Sequence, residues 1–328
     1  MEKLCPEALF INYSNPESRV CLAVNRLTRV KAVGLCHGVF STADKMANIL
    51  GRQRDELDIN VGGINHFHWV LSVKDKVTGE DLYPEFHQKM KEATKHKELY
   101  SFLRNPARVL KVKENDLEIE PLSLFLYDTF GLFPFPDDSH TGEYVSFAYG
   151  MCGPIRAKWH HYAAAEKVSV GEENKQVNKL LEDIIHAVSS EARLDPSIAS
   201  PTGELAIPII CDIEFDLRRK EMAVNIPNKG FAVSNLPEDA IVEIPSIVGA
   251  SGIQPVPVGP LPEAIAAMCR TQISIQNLLV EAYKEQSKIL LFQALLLDPV
   301  INSDNVAETE KMVEVMFGLE GEFLPKMH

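Results

Sequence analysis

One stretch constrains the fold more than any other. Val33 to Trp69 reads VGLCHGVFSTADKMANILGRQRDELDINVGGINHFHW. Two apolar runs end in small, reactive residues: Val33-Gly34-Leu35 leads into Cys36-His37-Gly38, and Val61-Gly62-Gly63-Ile64 leads into Asn65-His66. Between them Ser41 to Leu50 is amphipathic, with Ser41 or Thr42 as the expected N-cap. The order is strand, helix, strand, with polar groups at both strand exits. Open α/β sheets gather ligand sites at the carboxyl ends of their strands, so Cys36 and His66 are expected to face one cavity. A thiolate and an imidazole suit a borderline transition metal such as Zn²⁺, Mn²⁺ or Fe²⁺. The residue types leave a plainer alternative open. A Cys after an apolar run is usually a small buried hydrophobe, and a lone His on an apolar segment is more often a satisfied core residue. No CxxC and no zinc-finger spacing occurs.

Upstream, Met1 to Ala8 reads as the tail of a helix and Leu9-Phe10-Ile11 as a short buried strand. That strand stops at Asn12-Tyr13-Ser14-Asn15-Pro16, where Pro16 forbids further pairing. Glu17 to Thr28 is amphipathic, with Val20, Ala23, Val24 and Leu27 on one face. Lys31 to Leu35 is the next strand, which completes a parallel βαβ rhythm running into Val61–Ile64. Asn15 sits at a strand exit like Cys36 and His66. It is either an Asx-turn residue or an amide that binds a ligand hydroxyl.

Downstream, Leu71 to Leu82 reads as a strand with a Thr78-Gly79 turn, and Pro84 to Leu103 as a charged helix. Arg108, Lys111 and Lys113 read as a solvated helix face. Phe130 to Gly150 packs Asp137, Asp138, His140, Glu143 and Tyr144 behind a proline-rich turn. Asp137, Asp138 or Ser139 as a helix cap accounts for the carboxylates, but less well for His140 and Tyr144. Trp159 to Leu194 is polar and helical, and Ala206 to Cys211 reads as a buried strand. Glu221–Ile226, Gly230–Val233 and Ala240–Ile244 form a small antiparallel element. Gln254 to Pro262 is a proline-rich crossing, and Glu263 to Leu297 a long helix ended by Asp298-Pro299.

The chain has 328 residues and a formal net charge of −13, an acidic balance that argues against nucleic acid or anionic membrane as partner. No apolar run is long enough to span a bilayer, and MEKLCPEALF lacks the features of a signal peptide. Six cysteines without small-scaffold spacing read as free thiols, which points to a reducing cytoplasm.

Five segments, in order, resemble glycoside hydrolase family 4: INYSNP (11–16), GLCHG (34–38), GGINHFHW (62–69), NLPEDAIVEIP (235–245) and VGPLP (258–262). That family is an exception to hydrolysis by two carboxylates. The resemblance implies a lactate/malate dehydrogenase-like α/β fold: the end of a parallel Rossmann-type sheet over residues 1–70, then an α+β substrate and oligomerisation domain over 71–328. It implies NAD and a divalent metal, Mn²⁺ foremost, as cofactors. Cys36 and His66 fall on the family's metal ligands, Asn15 on its sugar-contacting Asn, and His37 on the general acid. The base that takes the C2 proton falls on Asp138, with Tyr144 as the chemical alternative. His140 is expected to orient that base or bind substrate. The implied reaction oxidises C3, removes the C2 proton, expels the leaving group, adds water and reduces C3 again. The tetrad Cys36-His37-Gly38-Val39 resembles the α-galacturonidase and α-glucuronidase members, whose substrate carboxylate calls for a cation or backbone donors near C6. Lys45, His68 and His140 are the expected candidates. A glycoside substrate and a homo-oligomer complete the expectation.

One departure bears on activity. No GxGxxG is present, and the family's first Rossmann strand and glycine-rich turn are expected ahead of INYSNP. The chain by itself is therefore expected not to bind NAD⁺, which leaves a silent fragment as one alternative. A 2-hydroxy-acid dehydrogenase relative is the other, but no Arg–His pair for its substrate stands out.

Overall fold

The computed structural model describes residues 1–94, 110–112, 117–119, 121–151, 178–179, 181–182, 185–186, 203–301 and 306–328. In chain order the elements are β1 (Leu9–Asn12), α1 (Glu17–Leu27), β2 (Lys31–Gly34), α2 (Gly38–Leu50), β3 (Leu57–Ile64), β4 (Phe67–Asp75), α3 (Tyr83–Thr94), β5 (Leu110–Val112) and β6 (Leu117–Ile119). Then come α4 (Pro121–Phe130), α5 (Asp138–Thr141), α6 (Ser146–Met151), α7 (Ala206–Phe215), β7 (Arg219–Pro227), β8 (Ile241–Gly249), β9 (Gly252–Pro255), α8 (Glu263–Glu285), α9 (Lys288–Leu297) and α10 (Val306–Glu320). The main sheet runs β1-β2-β7-β8-β9. Strands β1 and β2 are parallel, and the remaining pairs are antiparallel. This is a mixed α/β fold.

The third strand does not continue the parallel sheet. β3 pairs antiparallel with β4, and Asn65-His66 is the two-residue turn between them. A parallel crossover needs about a dozen residues; the apolar run Phe67-His68-Trp69 follows too soon for one. Two apolar runs joined by two polar residues make a hairpin. Gly63 permits it. Its φ is 152°, and a Cβ there would lie 2.4 Å from the Phe67 carbonyl oxygen. The hairpin packs across β7 and β8, and Lys220 Nζ ties the layers by donating to Asp58 at 2.8 Å and Asn60 at 2.9 Å. Residue 70, the expected boundary, lies inside β4, and β2 joins β7 across it.

Helix α1 turns a different face inward from the one its apolar stripe predicts. Glu17, Ser18, Cys21 and Leu22 are buried, while Leu27 is exposed. Polar bonds set this rotation. Asn25 Nδ2 donates to Ala32 O at 2.8 Å, and Ala32 N donates back to Asn25 Oδ1 at 3.2 Å, which locks the helix to β2. The Glu17 side chain lies over Gly34, where a Cβ would fall 1.0 Å from Glu17 Oε1.

Other expectations need correction. Met1–Ala8 holds turns, with no helix. Helix α2 begins at Gly38, so Ser41 and Thr42 lie inside it and do not cap it; the Thr42 hydroxyl donates back to Gly38 O at 3.1 Å. Lys111 lies on β5 of a short hairpin, and Arg108 and Lys113 are outside the described residues, as is most of Trp159–Leu194. Ala206–Cys211 belongs to helix α7. Leu205 and Ile209 are buried while Ile207 and Ile210 are exposed, a helical period that a short apolar run conceals. Gly230–Val233 is a loop, joined to Gly259 by one bridge at Val233. The long C-terminal helix breaks at Gln286, whose φ is 54°. Among the described residues no helix is long and apolar enough to cross a membrane.

Candidate active site

A cavity of about 440 Å³ opens where the exit of β1, the tip of the β3–β4 hairpin, α5 and the inner face of α8 meet. That volume suits a small ligand. Asn15, Asn65, His66, His140 and Tyr144 are on its wall. Asn15 is exposed, and the Asx turn expected of it is made by Asn12, whose Oδ1 accepts from Ser14 N at 3.2 Å. This leaves the Asn15 amide at the cavity.

His66 has φ 60°, an uncommon left-handed conformation for a non-glycine residue. The turn presents its ring between Phe135, stacked at 5.7 Å, and His140, edge-on at 4.4 Å. Burial, reinforced by the His140 charge, lowers the His66 pKa to about 4, so the imidazole is neutral at pH 7 and has a free lone pair. Cys36 is partly buried beside the Asn65 side chain and accepts from Gly38 N at 3.3 Å. Burial, then the Glu243 charge, pushes the Cys36 thiol up to about 12. It is a thiol at neutral pH unless a cation binds it, which removes the proton outright. Among the described residues no group of three His, Cys, Asp or Glu could hold a metal ion. A thiolate and a neutral imidazole are donors of the type that suits a borderline divalent cation, while Cys36 itself lies off the cavity wall.

Asp138 is not on the cavity wall. It is buried, with Oδ2 accepting from Leu122 N at 2.7 Å and Oδ1 from Ser123 N and Ser123 Oγ, both at 2.8 Å. It caps α4 from a distance. Asp137 caps α5, accepting from Ser139 N at 3.0 Å and His140 N at 3.2 Å. Burial opposes the Asp137 charge, yet the bonds from His140 and Ser139 outweigh it and hold the carboxyl well below its usual range. Tyr144 stacks on Phe67 at 5.2 Å, and its pKa is raised by burial, then by Glu143, with Arg19 opposing. His37 precedes α2, is exposed, and stands 4.0 Å from Glu204, away from the cavity wall.

Two of the expected substrate cations are spent elsewhere. Lys45 Nζ donates to Pro136 O at 2.7 Å. His68 is buried, with Nδ1 2.7 Å from Glu243 and Nε2 2.9 Å from Thr42. Sequence reasoning missed Glu17, Arg19, Gln272, Gln276 and Asp298, all on the wall. Two signals were available: a charged first turn directly after Asn15-Pro16, and buried glutamines four apart on the apolar face of α8.

Fold and site together define an α/β protein with a polar, small-ligand cavity at its strand exits. Comparison with known families is more specific. Residues 1–52 match the family model "Family 4 glycosyl hydrolase", and residues 61–301 match the "Family 4 glycosyl hydrolase C-terminal domain". The chain belongs to family 4 of the glycosyl hydrolases, enzymes that cleave O-glycosyl bonds. It is similar to an alpha-galactosidase of Bacillus subtilis (28% identity, 99% of this chain, 69% of that protein). It is also similar to a maltose-6'-phosphate glucosidase of Fusobacterium mortiferum (31%, 94%, 66%) and an alpha-galacturonidase of Lachnoclostridium phytofermentans (27%, 99%, 69%). A solved 6-phospho-alpha-glucosidase from gut microorganisms, in complex with NAD and Mn²⁺, shares the fold. Its TM-score is 0.75 at 22% identity, over 100% of this chain and 70% of that one.

Proposed function

We propose that the chain acts on α-glycosides of carboxylated hexoses, α-galacturonides or α-glucuronides, in a reaction that uses NAD and a divalent cation, Mn²⁺ foremost. The observation that carries this reading is the gathering of Asn15, His66, His140 and Tyr144 on one cavity wall. Cys36 lies beside Asn65, the neighbour of His66. An alpha-galacturonidase among the relatives and the NAD and Mn²⁺ of a solved neighbour support it.

When bound, NAD supplies hydride acceptance and return, and the cation supplies Lewis acidity at the sugar oxygens. The chain's own residues do the rest. Cys36 and His66 would hold the cation, and Asn15 would donate to or accept from a sugar hydroxyl. Tyr144 takes the C2 proton in place of Asp138, whose oxygens are already committed to α4. The phenol needs help to ionise, because burial and then the Glu143 charge hold its proton in place. His140, held by Asp137, fixes the imidazole of His66 edge-on. His37, next to Cys36 but exposed and off the cavity wall, is not assigned the proton for the leaving group. Five described cysteines are free, in keeping with a reducing cytoplasm. Exposed Ile207, Ile210 and Phe215 on α7 are in keeping with self-association.

Mn²⁺ titration of the full chain, followed by electron paramagnetic resonance, tests the donor pair. Cys36→Ser and His66→Ala are each expected to weaken binding about a hundredfold or more. Affinity unchanged in both variants would return these residues to the role of buried Cys and turn His. The base is tested by exchange of the substrate's C2 hydrogen into D₂O in a form of the protein shown beforehand to bind NAD⁺. Tyr144→Phe should abolish exchange; normal exchange in that variant would exclude Tyr144.

A further inference from the structure

The cavity that His66 lines also carries groups whose polar capacity the fold does not use up. Arg19, in the first turns of α1, contributes a guanidinium to the cavity. Its Nη2 stands 3.6 Å from Asp298 Oδ2, beyond a good hydrogen bond, and the Arg19 side chain is 36% exposed. Its charge acts on both Glu143 and Tyr144, which line the same cavity. Gln276, on α8, is 4% exposed, yet its Oε1 has no hydrogen-bond partner among the described residues. A buried amide oxygen left unpaired costs about 1–3 kcal/mol, and the cavity is where a partner can arrive. One turn earlier Gln272 is occupied, its Nε2 donating to Tyr144 O at 3.4 Å.

We infer that Arg19 anchors the carboxylate of a uronide while Gln276 accepts from a hydroxyl of the same sugar, so that these two residues set the substrate class. This rests on the proposed function and deepens it. A guanidinium meets a carboxylate with two parallel bonds. The same wall holds Asp298, Glu143 and Glu17. One guanidinium among three acids suits a singly charged carboxylate better than a doubly charged phosphate. On ligand entry Arg19 exchanges its long contact with Asp298 for a shorter one with substrate.

The test is calorimetric binding of D-galacturonate, D-galactose and D-galactose 6-phosphate to the full chain, loaded with Mn²⁺. Galacturonate should bind about tenfold or more tighter than either of the others, consistent with one charge-assisted pair. Arg19→Gln should remove that preference and leave galactose affinity unchanged. Gln276→Leu should weaken galacturonate and galactose equally. Asp298→Asn should tighten galacturonate, because a competing carboxylate is gone, and this arm stands even if Arg19→Gln fails to fold. Equal loss for all three sugars in Arg19→Gln, or weaker galacturonate binding in Asp298→Asn, would make the pair a structural tie and overturn the inference. Preference for the phosphate would overturn the carboxylate assignment while leaving the glycosidase reading intact. No binding of any sugar by the unsubstituted chain would overturn both.

Discussion

Asp138→Ala is expected to lower the stability of the chain by about 3 kcal/mol, because it strips charge-assisted bonds from a buried helix start. The Asp138 carboxylate accepts from Leu122 N, Ser123 N and Ser123 Oγ. These are the first donors of α4, which have no partner within the helix. The negative charge also faces the positive end of the helix dipole. Asp138→Asn should recover only part of the loss. Its carboxamide oxygen accepts from one side, but its NH₂ group then faces an N–H that has nothing to donate to. Urea titration of the three proteins measures the effect. A midpoint for Asp138→Ala equal to that of the unsubstituted chain would show the carboxylate to be structurally idle, and would reopen its assignment as the catalytic base. Tyr144→Phe removes only a hydroxyl, so its effect on turnover should greatly exceed its effect on stability.

Glu17→Gln should change the pH dependence of stability in the opposite sense to that of a paired surface carboxylate. Burial, then the Glu243 charge, raises the Glu17 pKa to about 8 from an ordinary value of 4.5. The folded chain holds this proton more tightly than the unfolded chain does. The Glu17 contribution is therefore fully present below about pH 4.5, declines as the pH climbs, and is gone above pH 8. Integrated over that window the loss is on the order of 4 kcal/mol. Glu17→Gln, which keeps the shape over Gly34 and cannot ionise, should match the unsubstituted chain near pH 5 and exceed it near pH 9. Other titrating groups, His66 among them, are common to both proteins and cancel in the difference. Thermal unfolding from pH 5 to 9 is the measurement. Parallel curves would mean that Glu17 ionises freely, unaffected by burial or by the Glu243 charge. Gly34→Ala belongs to the same argument, since its Cβ would displace the Glu17 carboxyl.

Much of the site was legible in the chain because it depends on local chemistry. Polar residues at the ends of apolar runs had to emerge at strand ends, which brought Asn15 and His66 to one cavity and Cys36 next to it. Asp137 was readable as a cap because a carboxylate before three free N–H groups satisfies them wherever the helix lies. What was not legible depended on partners distant in sequence. The Asp138 carboxylate was ambiguous until α4 was seen to start against it. Lys45 and His68 looked available until Pro136, Thr42 and Glu243 were found to occupy them.

By itself the sequence determined the alternation of strand and helix up to Leu50, from residue types and short spacings, and the family, from its resemblance over five ordered segments. Only the tertiary structure decided which strand joins β2. Antiparallel β7 lies nearly two hundred residues away, and pairing energy depends on proximity in space, on which local propensity is silent. It also decided the rotation of α1. There an amide on Asn25 and a carboxyl over Gly34 set the buried face, because a buried polar group left unpaired costs about 1–3 kcal/mol, comparable to what burying a leucine gains. That rotation is what turns Glu17 inward and leaves Arg19 on the cavity wall.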